Sequence, residues 1–353
     1  MYKNQHPEKY RKGKFNTLGE SGTTFYNKPA IIVNGSGTDL ANRKALKGRA
    51  KRKMITQKMV LSLIDVCDKN STPDRKKAYW NTFNCQSKIY SGNGRLYGKY
   101  CKNRFCTLCC SIRKAEIINN YMPIIQAWPD PYFVTLTIKS QPLRNLNKFM
   151  RGMIKAFRRI NEKYRKRSQR GNGIKLVGIK SLECNFNPRR KEYNPHFHLI
   201  VPNQAIAKIL LSEWLTIWTA KYTDIKGQKI EPIYNKQSAL IELIKYGSKI
   251  FTEPDVNKKL KSKGKSNIHA AALENIFIAM KGLRIFERFG FNLPNESEKV
   301  RQSATVIQKY DEWEFVPKVF DWVNPKNDQT LSEYKPAKDL LNMLENNIDT
   351  VLQ

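Results

Sequence analysis

Pro195-His196-Phe197-His198-Leu199-Ile200-Val201 places two imidazoles two residues apart inside an apolar run. At the side-chain period of a strand both rings point to one face, while Phe197 and the residues after it supply a core on the other. Two rings aimed the same way can share a metal ion. Alone, the pair is equally satisfied by ordinary hydrogen bonds on a half-exposed strand. However, these are two of only four histidines in the chain, and their surroundings are organised to match.

Upstream, residues 174–186 read as a strand and residues 187–194 (NPRRKEYN) carry turn chemistry, so a β-hairpin is the simplest arrangement. About a turn centred near residue 190, Glu183 falls opposite His196 or His198. Alternation faces Glu183 one way and sends Leu182 and Cys184 the other. A carboxylate there completes a set of two histidines and one acid, which leaves coordination positions open for a substrate oxygen. By itself Glu183 could also be a solvent-facing strand carboxylate. Those ligand types would accept zinc or iron as well as magnesium or manganese.

The composition narrows the partners. Among 353 residues, 64 Lys and Arg against 30 Asp and Glu leave a net charge of +34, an excess that fold requirements do not explain and a polyanion does. Nucleic acid is the leading candidate and an anionic membrane surface the second. No apolar run approaches the roughly 18 residues of a membrane span, and the N-terminus lacks an apolar signal core, so a soluble, cytoplasmic protein is expected. Seven cysteines, mostly bunched, suit metal ligation better than a secreted disulfide framework.

Along the chain four regions are expected. Residues 1–75 form a basic N-terminal arm, with the run 43–53 (RKALKGRAKRK) mobile and an amphipathic helix over 54–66. Residues 76–128 form a zinc-binding cysteine module. Residues 129–290 form the main domain, beginning with the β-branched strand 132–139 (YFVTLTIK). Residues 291–353 form a C-terminal extension to which the sequence assigns no role. Leu146, Phe149, Met150, Met153, Phe157, Ile160 and Tyr164 recur at helical spacing with Arg and Lys on the other face, predicting a helix that covers a sheet. Trp214 and Trp218 sit among apolar neighbours and read as core. The basic runs 43–53 and 163–170 read as DNA-backbone contacts that would bind with strong salt dependence, or as solvated faces.

Within the cysteine module, Cys101, Cys106, Cys109 and Cys110 follow the pattern C-x4-C-x2-CC, and Cys85 lies upstream. The preferred tetrahedral zinc set is Cys85, Cys101, Cys106 and Cys109, with Cys110 spare or exchanging places with Cys85. Cys67 and Cys184 read as structural. Arg104 and Arg113 flank the cluster and are candidate phosphate contacts. On a helix predicted over 238–251, Glu242, Tyr246 and Lys249 form one polar stripe at i, i+4 and i+7. A phenol ionises near pH 10, so Tyr246 becomes a nucleophile only beside cations and a metal-held phosphate. Lys245 and Lys249 are placed to supply that charge.

Taken together, the histidine strand, the preceding strand with Thr135-Leu136-Thr137, and Glu242-x-x-Lys245-Tyr246-x-x-Lys249 resemble the three ordered motifs of plasmid rolling-circle replication initiators, which are HUH endonucleases. The resemblance covers roughly residues 85–290. It includes a cysteine cluster before the first motif and the stretch 279–290 (AMKGLRIFERFG). Where members commonly carry Cys-Pro, this chain has Cys106-Thr107. The resemblance implies an α+β fold: an HUH-type, mainly antiparallel sheet flanked by helices, with the zinc module upstream. It also implies a reaction in which magnesium or manganese held by His196, His198 and Glu183 polarises a DNA phosphate. Tyr246 attacks to give a 5′-phosphotyrosine and a free 3′-hydroxyl that primes host polymerase, Lys249 neutralises phosphate charge, and Glu242 activates water to end the cycle. The implied partners are origin DNA, single-stranded or supercoiled, and host helicase and polymerase; a homo-oligomer is left open.

Within the same chemistry, a relaxase would offer a third histidine and a single-tyrosine transposase would lack the zinc module. From another class, a catalytically silent, zinc-containing DNA-binding regulator would keep the basic surface without the intact Glu183, His196, His198 and Tyr246 set. A nucleotidyl hydrolase would want a histidine where Ile200 stands. The stretch Gly264-Lys265-Ser266 lacks the earlier glycine of a phosphate-binding loop, so no ATPase is indicated.

Overall fold

The computed structural model describes residues 40–70, 72–245, 268–293 and 310–351. Two helices open it, α1 (Arg43–Lys69) and α2 (Pro73–Phe83), followed by the hairpin β1 (Lys88–Gly92) and β2 (Arg95–Gly98). Helix α3 (Thr107–Gln126) leads into the main domain: β3 (Tyr132–Thr137), α4 (Leu143–Gln169), β4 (Gly178–Asn187), β5 (Glu192–Val201), α5 (Gln204–Tyr222), β6 (Lys229–Pro232) and α6 (Lys236–Lys245). Further on come β7 (Ile268–His269), α7 (Ala270–Met280), β8 (Phe286–Phe289), β9 (Asp311–Val316), β10 (Asp321–Val323), α8 (Lys338–Asn346) and β11 (Ile348–Asp349).

Five strands form one antiparallel sheet in the order β6-β3-β5-β4-β8. The alternation of β4 and β5 divides its two faces. Leu182, Phe197, Leu199 and Val201 pack against Leu146, Met150, Met153 and Phe157 of α4, with α5 and α7 completing that layer. Ile179 and Ile200 point the opposite way, into a smaller cluster with Tyr121 and Ile125 of α3 and Leu240, Leu243 and Ile244 of α6. Helix α4 is strongly two-faced because its apolar residues fall every three or four positions and its solvent face is almost wholly Arg and Lys. The fold is therefore the α+β class expected, with an antiparallel sheet between helices. Among the described residues no helix is long and apolar enough to cross a membrane.

The basic run 43–53 is part of α1, and the helix reaches well beyond residues 54–66. Arg49 and Lys53 turn inward: Arg49 donates to Gln86 Oε1 at 2.7 Å, and Lys53 Nζ donates to the carbonyls of Phe83 at 2.7 Å and Cys85 at 2.6 Å. Both are buried, so they tie α1 to the cysteine module from within. Residues beyond 310 also join this part of the molecule. Strands β9 and β10 extend the β1-β2 hairpin into a four-stranded sheet in the order β10-β9-β1-β2, and Trp322 is fully buried with its indole N–H on Gln86 O at 2.7 Å. Helix α8 packs on α1, and β11 pairs with β7.

Helix α7 touches both the main sheet and the α1–α2 pair, and a buried charge cluster holds it there. Glu274, 2% exposed, accepts from Arg75 Nη2 at 2.8 Å, from the Tyr79 hydroxyl, and from the Cys67 thiol at 3.8 Å. Burial pushes the Tyr79 phenol well above its ordinary range, so it serves there as a donor. Glu274→Ala would strand the Arg75 guanidinium. An expected loss of about 3–5 kcal/mol in unfolding free energy is measurable by urea titration, and Glu274→Gln should recover part of it.

Candidate functional site

The β4–β5 register pairs Glu183 with His196 and Ser181 with His198, and directly opposed residues share a face. One carboxylate oxygen, Glu183 Oε2, lies 2.9 Å from His196 Nε2 and 3.1 Å from His198 Nε2. Glu183 is 3% exposed and His196 6%, whereas the His198 side chain, at 13%, opens toward solvent. The other ring nitrogens have partners of their own. His196 Nδ1 donates to the Asn194 carbonyl at 3.0 Å, and His198 Nδ1 meets the Thr135 hydroxyl at 3.1 Å.

This arrangement fits a cation. In the neutral ring a proton on Nδ1 of His196 leaves its Nε2 as a lone pair facing a carboxylate, so the two are held together by a positive centre between them, a second proton or a metal ion. Ligands at right angles on an ion bound at about 2.1 Å stand about 3 Å apart, which matches the observed separations. Ser181 Oγ, fully buried on the same face beside His198, has no hydrogen-bond partner among the described residues. Glu183, His196 and His198 could thus hold a metal ion, with His198 on the side open to a substrate. Thr135, the first threonine of the β3 motif, orients His198. Thr135→Val is expected to weaken metal binding roughly 10–100-fold, as loss of an outer-sphere partner does, in a calorimetric titration with manganese.

Helix α6 lies over this same face. Leu240, Leu243 and Ile244 cover Ile200 and Ile179, the next residues along the strands from His198 and Ser181 on that side. Ile200, where a third alternating histidine would stand, is thereby occupied as a packing contact for the helix. Glu242 lies half-buried on α6, and Lys245 is its last described residue. Tyr246 and Lys249 lie outside the described residues, as does Gly264-Lys265-Ser266.

A second cluster joins Cys85, Cys101, Cys106 and Cys109. Cys109 Sγ lies 3.6 Å from the sulfurs of both Cys85 and Cys101. Four sulfurs around a zinc at about 2.3 Å would be about 3.8 Å apart, so the cage is of the right size. Hydrogen bonds from the other three thiols hold Cys85 well below the usual thiol range, while burial pushes Cys106 up. A cation among the four sulfurs would favour all of them as thiolates. Cys110 faces elsewhere, its thiol donating to the Arg104 carbonyl at 2.9 Å, and burial pushes it up to about 11. Thr107 begins α3 and uses its hydroxyl to reach Thr56 Oγ1 at 2.7 Å and Arg52 O at 2.9 Å, docking α3 on α1.

Two expected phosphate contacts are engaged within the protein. Arg104 donates to the carbonyls of Met280 at 3.1 Å and Leu283, clamping the C-terminal end of α7. Arg113 donates to Lys102 O at 3.1 Å and is half-buried. Sequence reasoning missed Lys53, whose buried ammonium sits beside the four cysteines. Burial lowers its pKa to about 8 and the cysteines pull it back up. A lysine at the end of a run of basic residues carries no signal of burial; only its place on the apolar side of a continued α1 could have shown it.

The family model described as "Replication protein" matches residues 95–317, spanning the hairpin β1-β2 in part, the whole main sheet and β9. The chain belongs to this replication-protein family. A "Protein rep" of Staphylococcus aureus is 30% identical over 178 residues, covering 46% of this chain and 73% of that protein. Proteins of the same name from a Bacillus species and from Streptococcus pneumoniae are 27% and 29% identical, with 43% and 35% of their lengths covered. The chain thus spans less than half of these latter two. No solved structure matches. The plasmid rolling-circle initiators that the motifs resemble are the group to which this replication protein is assigned.

Proposed function

We propose that this replication protein initiates rolling-circle replication by nicking one strand of origin DNA. The observation that carries the proposal is the convergence of Glu183, His196 and His198 on one point of the sheet face crossed by α6. Strand β6 runs antiparallel to β3, which places the start of α6 near the Val201 end of β5. From Val201 back to His196 is about 17 Å at 3.3–3.4 Å per residue; a ten-residue helix covers about 15 Å. The ten described residues of α6 are thus comparable in length to the stretch of β5 from Val201 back to His196.

Glu183, His196 and His198 would hold a divalent ion, which when bound would supply charge to polarise the scissile phosphate. The Tyr246 phenolate oxygen attacks phosphorus, the bond to the 3′-oxygen breaks, and that oxygen takes a proton to leave as a 3′-hydroxyl. The 5′ side stays joined to Tyr246. Lys245 and Lys249 lower the cost of ionising the phenol and offset phosphate charge. Glu242 takes a proton from a water whose oxygen then displaces the tyrosine, releasing a 5′-phosphate. The freed 3′-hydroxyl serves host polymerase after helicase opening. Cys85, Cys101, Cys106 and Cys109 would hold a zinc ion that ties the β1-β2 hairpin to α3 beside this domain. A catalytically silent regulator has no use for a convergent, half-open acceptor set, which favours the enzyme.

The division of labour is testable in a time course on labelled single-stranded origin DNA with manganese. Wild-type protein should show a covalent adduct that rises and decays. Glu242→Gln should accumulate the adduct and release it at least about 100-fold more slowly, within the range of general-base contributions. An unchanged decay would remove Glu242 from the hydrolytic step.

A further inference from the structure

We infer that the solvent face of α4 is a docking rail for the backbone of double-stranded DNA, on the side of the sheet away from the metal site; this rests on the reading that DNA is the partner. Arg144, Lys148, Arg151, Lys155 and Arg159 follow one another at three- or four-residue steps along an exposed stripe, and Lys166 continues it. From Arg144 to Lys166 the row is about 33 Å long at 1.5 Å per residue. Among the described residues Arg144, Lys148, Lys155, Arg159 and Lys166 have no carboxylate within ion-pair distance; the pairing on this helix is Lys163 with Glu213, off to one side. A groove between α4 and the sheet adds Arg158, Arg165 and Lys175, with Glu162 and Glu287 among them. So much unmatched charge on a rigid element costs stability through self-repulsion, and a polyanion of matching length would offset that cost.

The face favours duplex over single strand because it holds charge and no stacking surface. Single-strand tracks interleave cations with exposed aromatic rings. Here Phe149 stacks on Trp218, Phe157 lies against Phe197 and Phe289, and the Tyr164 hydroxyl donates to Glu213 at 3.0 Å. All three aromatic residues of the helix turn into the protein. The stripe also lies opposite the metal centre, since the residues beneath it, Phe197 and Leu199, alternate with His196 and His198. Duplex is held on one face and the strand to be cut is presented to the other.

The test is binding of a labelled random-sequence duplex across a potassium chloride series. The quadruple variant Arg144→Gln, Lys148→Gln, Lys155→Gln, Arg159→Gln is compared with a charge-matched control carrying Lys318→Gln, Lys326→Gln, Lys335→Gln and Lys338→Gln, four lysines exposed on the C-terminal segment. Each lost phosphate contact lowers the slope of log K against log salt by about 0.9. The α4 variant should lose about 3–4 of slope with an unchanged melting temperature, and the control less than about 1. Equal losses in both variants would reduce the effect to net charge. The same loss of slope on a single-stranded oligonucleotide would make α4 a single-strand track; either result, or an unchanged slope, overturns the inference. Wild-type protein that binds duplex yet forms no adduct with origin DNA would leave this surface standing and remove the nicking proposal.

Discussion

Glu183→Gln is expected to abolish metal-dependent strand cleavage while making the metal-free protein more stable. The carboxylate is 3% exposed, and two imidazole nitrogens lie within hydrogen-bond distance of its Oε2. With His196 neutral and no ion between them, the carboxylate faces a ring lone pair, to which an amide can donate instead. Replacing that repulsion by a hydrogen bond should raise unfolding free energy by about 1–3 kcal/mol, the range for an unsatisfied buried group. The same change removes the only anion of the ligand set. Loss of a direct ligand should exceed the roughly 10–100-fold that outer-sphere partners cost, and cleavage should fall at least about 1000-fold. Calorimetry with manganese, a cleavage assay and urea unfolding without metal on the same preparation check both halves. A variant that is inactive and less stable would assign Glu183 to the architecture of the hairpin and not to the metal.

Cys109→Ser is expected to have the largest effect on folding. Its sulfur is within 3.6 Å of two others, and the cluster sits where α1, the β1-β2 hairpin and α3 meet. Structural zinc contributes about 10–16 kcal/mol of apparent binding free energy in small domains, more than most single domains have to spare. Lys53 magnifies the loss: its ammonium is fully buried beside the cluster, and burial already disfavours its charge. Without the thiolates' negative charge nearby, that burial becomes costlier still. Wild-type protein should carry one zinc per chain by elemental analysis, and Cys109→Ser none, with loss of cooperative melting. Cys110→Ser, which touches only the Arg104 carbonyl, should keep both. Zinc retained in Cys109→Ser at wild-type stoichiometry would place the metal elsewhere.

The main sheet was legible because local pattern and long-range pairing agree there. Alternation about the turn near residue 190 put Glu183 opposite His196 or His198, and the register pairs it with His196. The apolar spacing of 146–164 required a helix with one buried face, and that face covers the sheet. What escaped was long-range. Residues 43–53 look like a solvated arm because their charge outweighs their helical spacing, yet Arg49 and Lys53 are buried on carbonyl and amide oxygens supplied by residues 83–86. The segment beyond residue 310 pairs with a hairpin more than 200 residues earlier, and neither edge strand announces its partner. Arg104 likewise reads as surface charge until α7 brings two carbonyls to it.

The most direct test of the account is the bond it requires between DNA and one tyrosine. Purified protein is incubated with labelled single-stranded origin DNA and manganese or magnesium, boiled, and resolved on a denaturing gel, with Tyr246→Phe and an EDTA-treated sample alongside. The account predicts a boiling-resistant adduct that needs the metal and vanishes in Tyr246→Phe. An adduct that persists in Tyr246→Phe would contradict the assignment of the nucleophile, and the absence of any adduct despite tight binding to that DNA would contradict the nicking reaction itself.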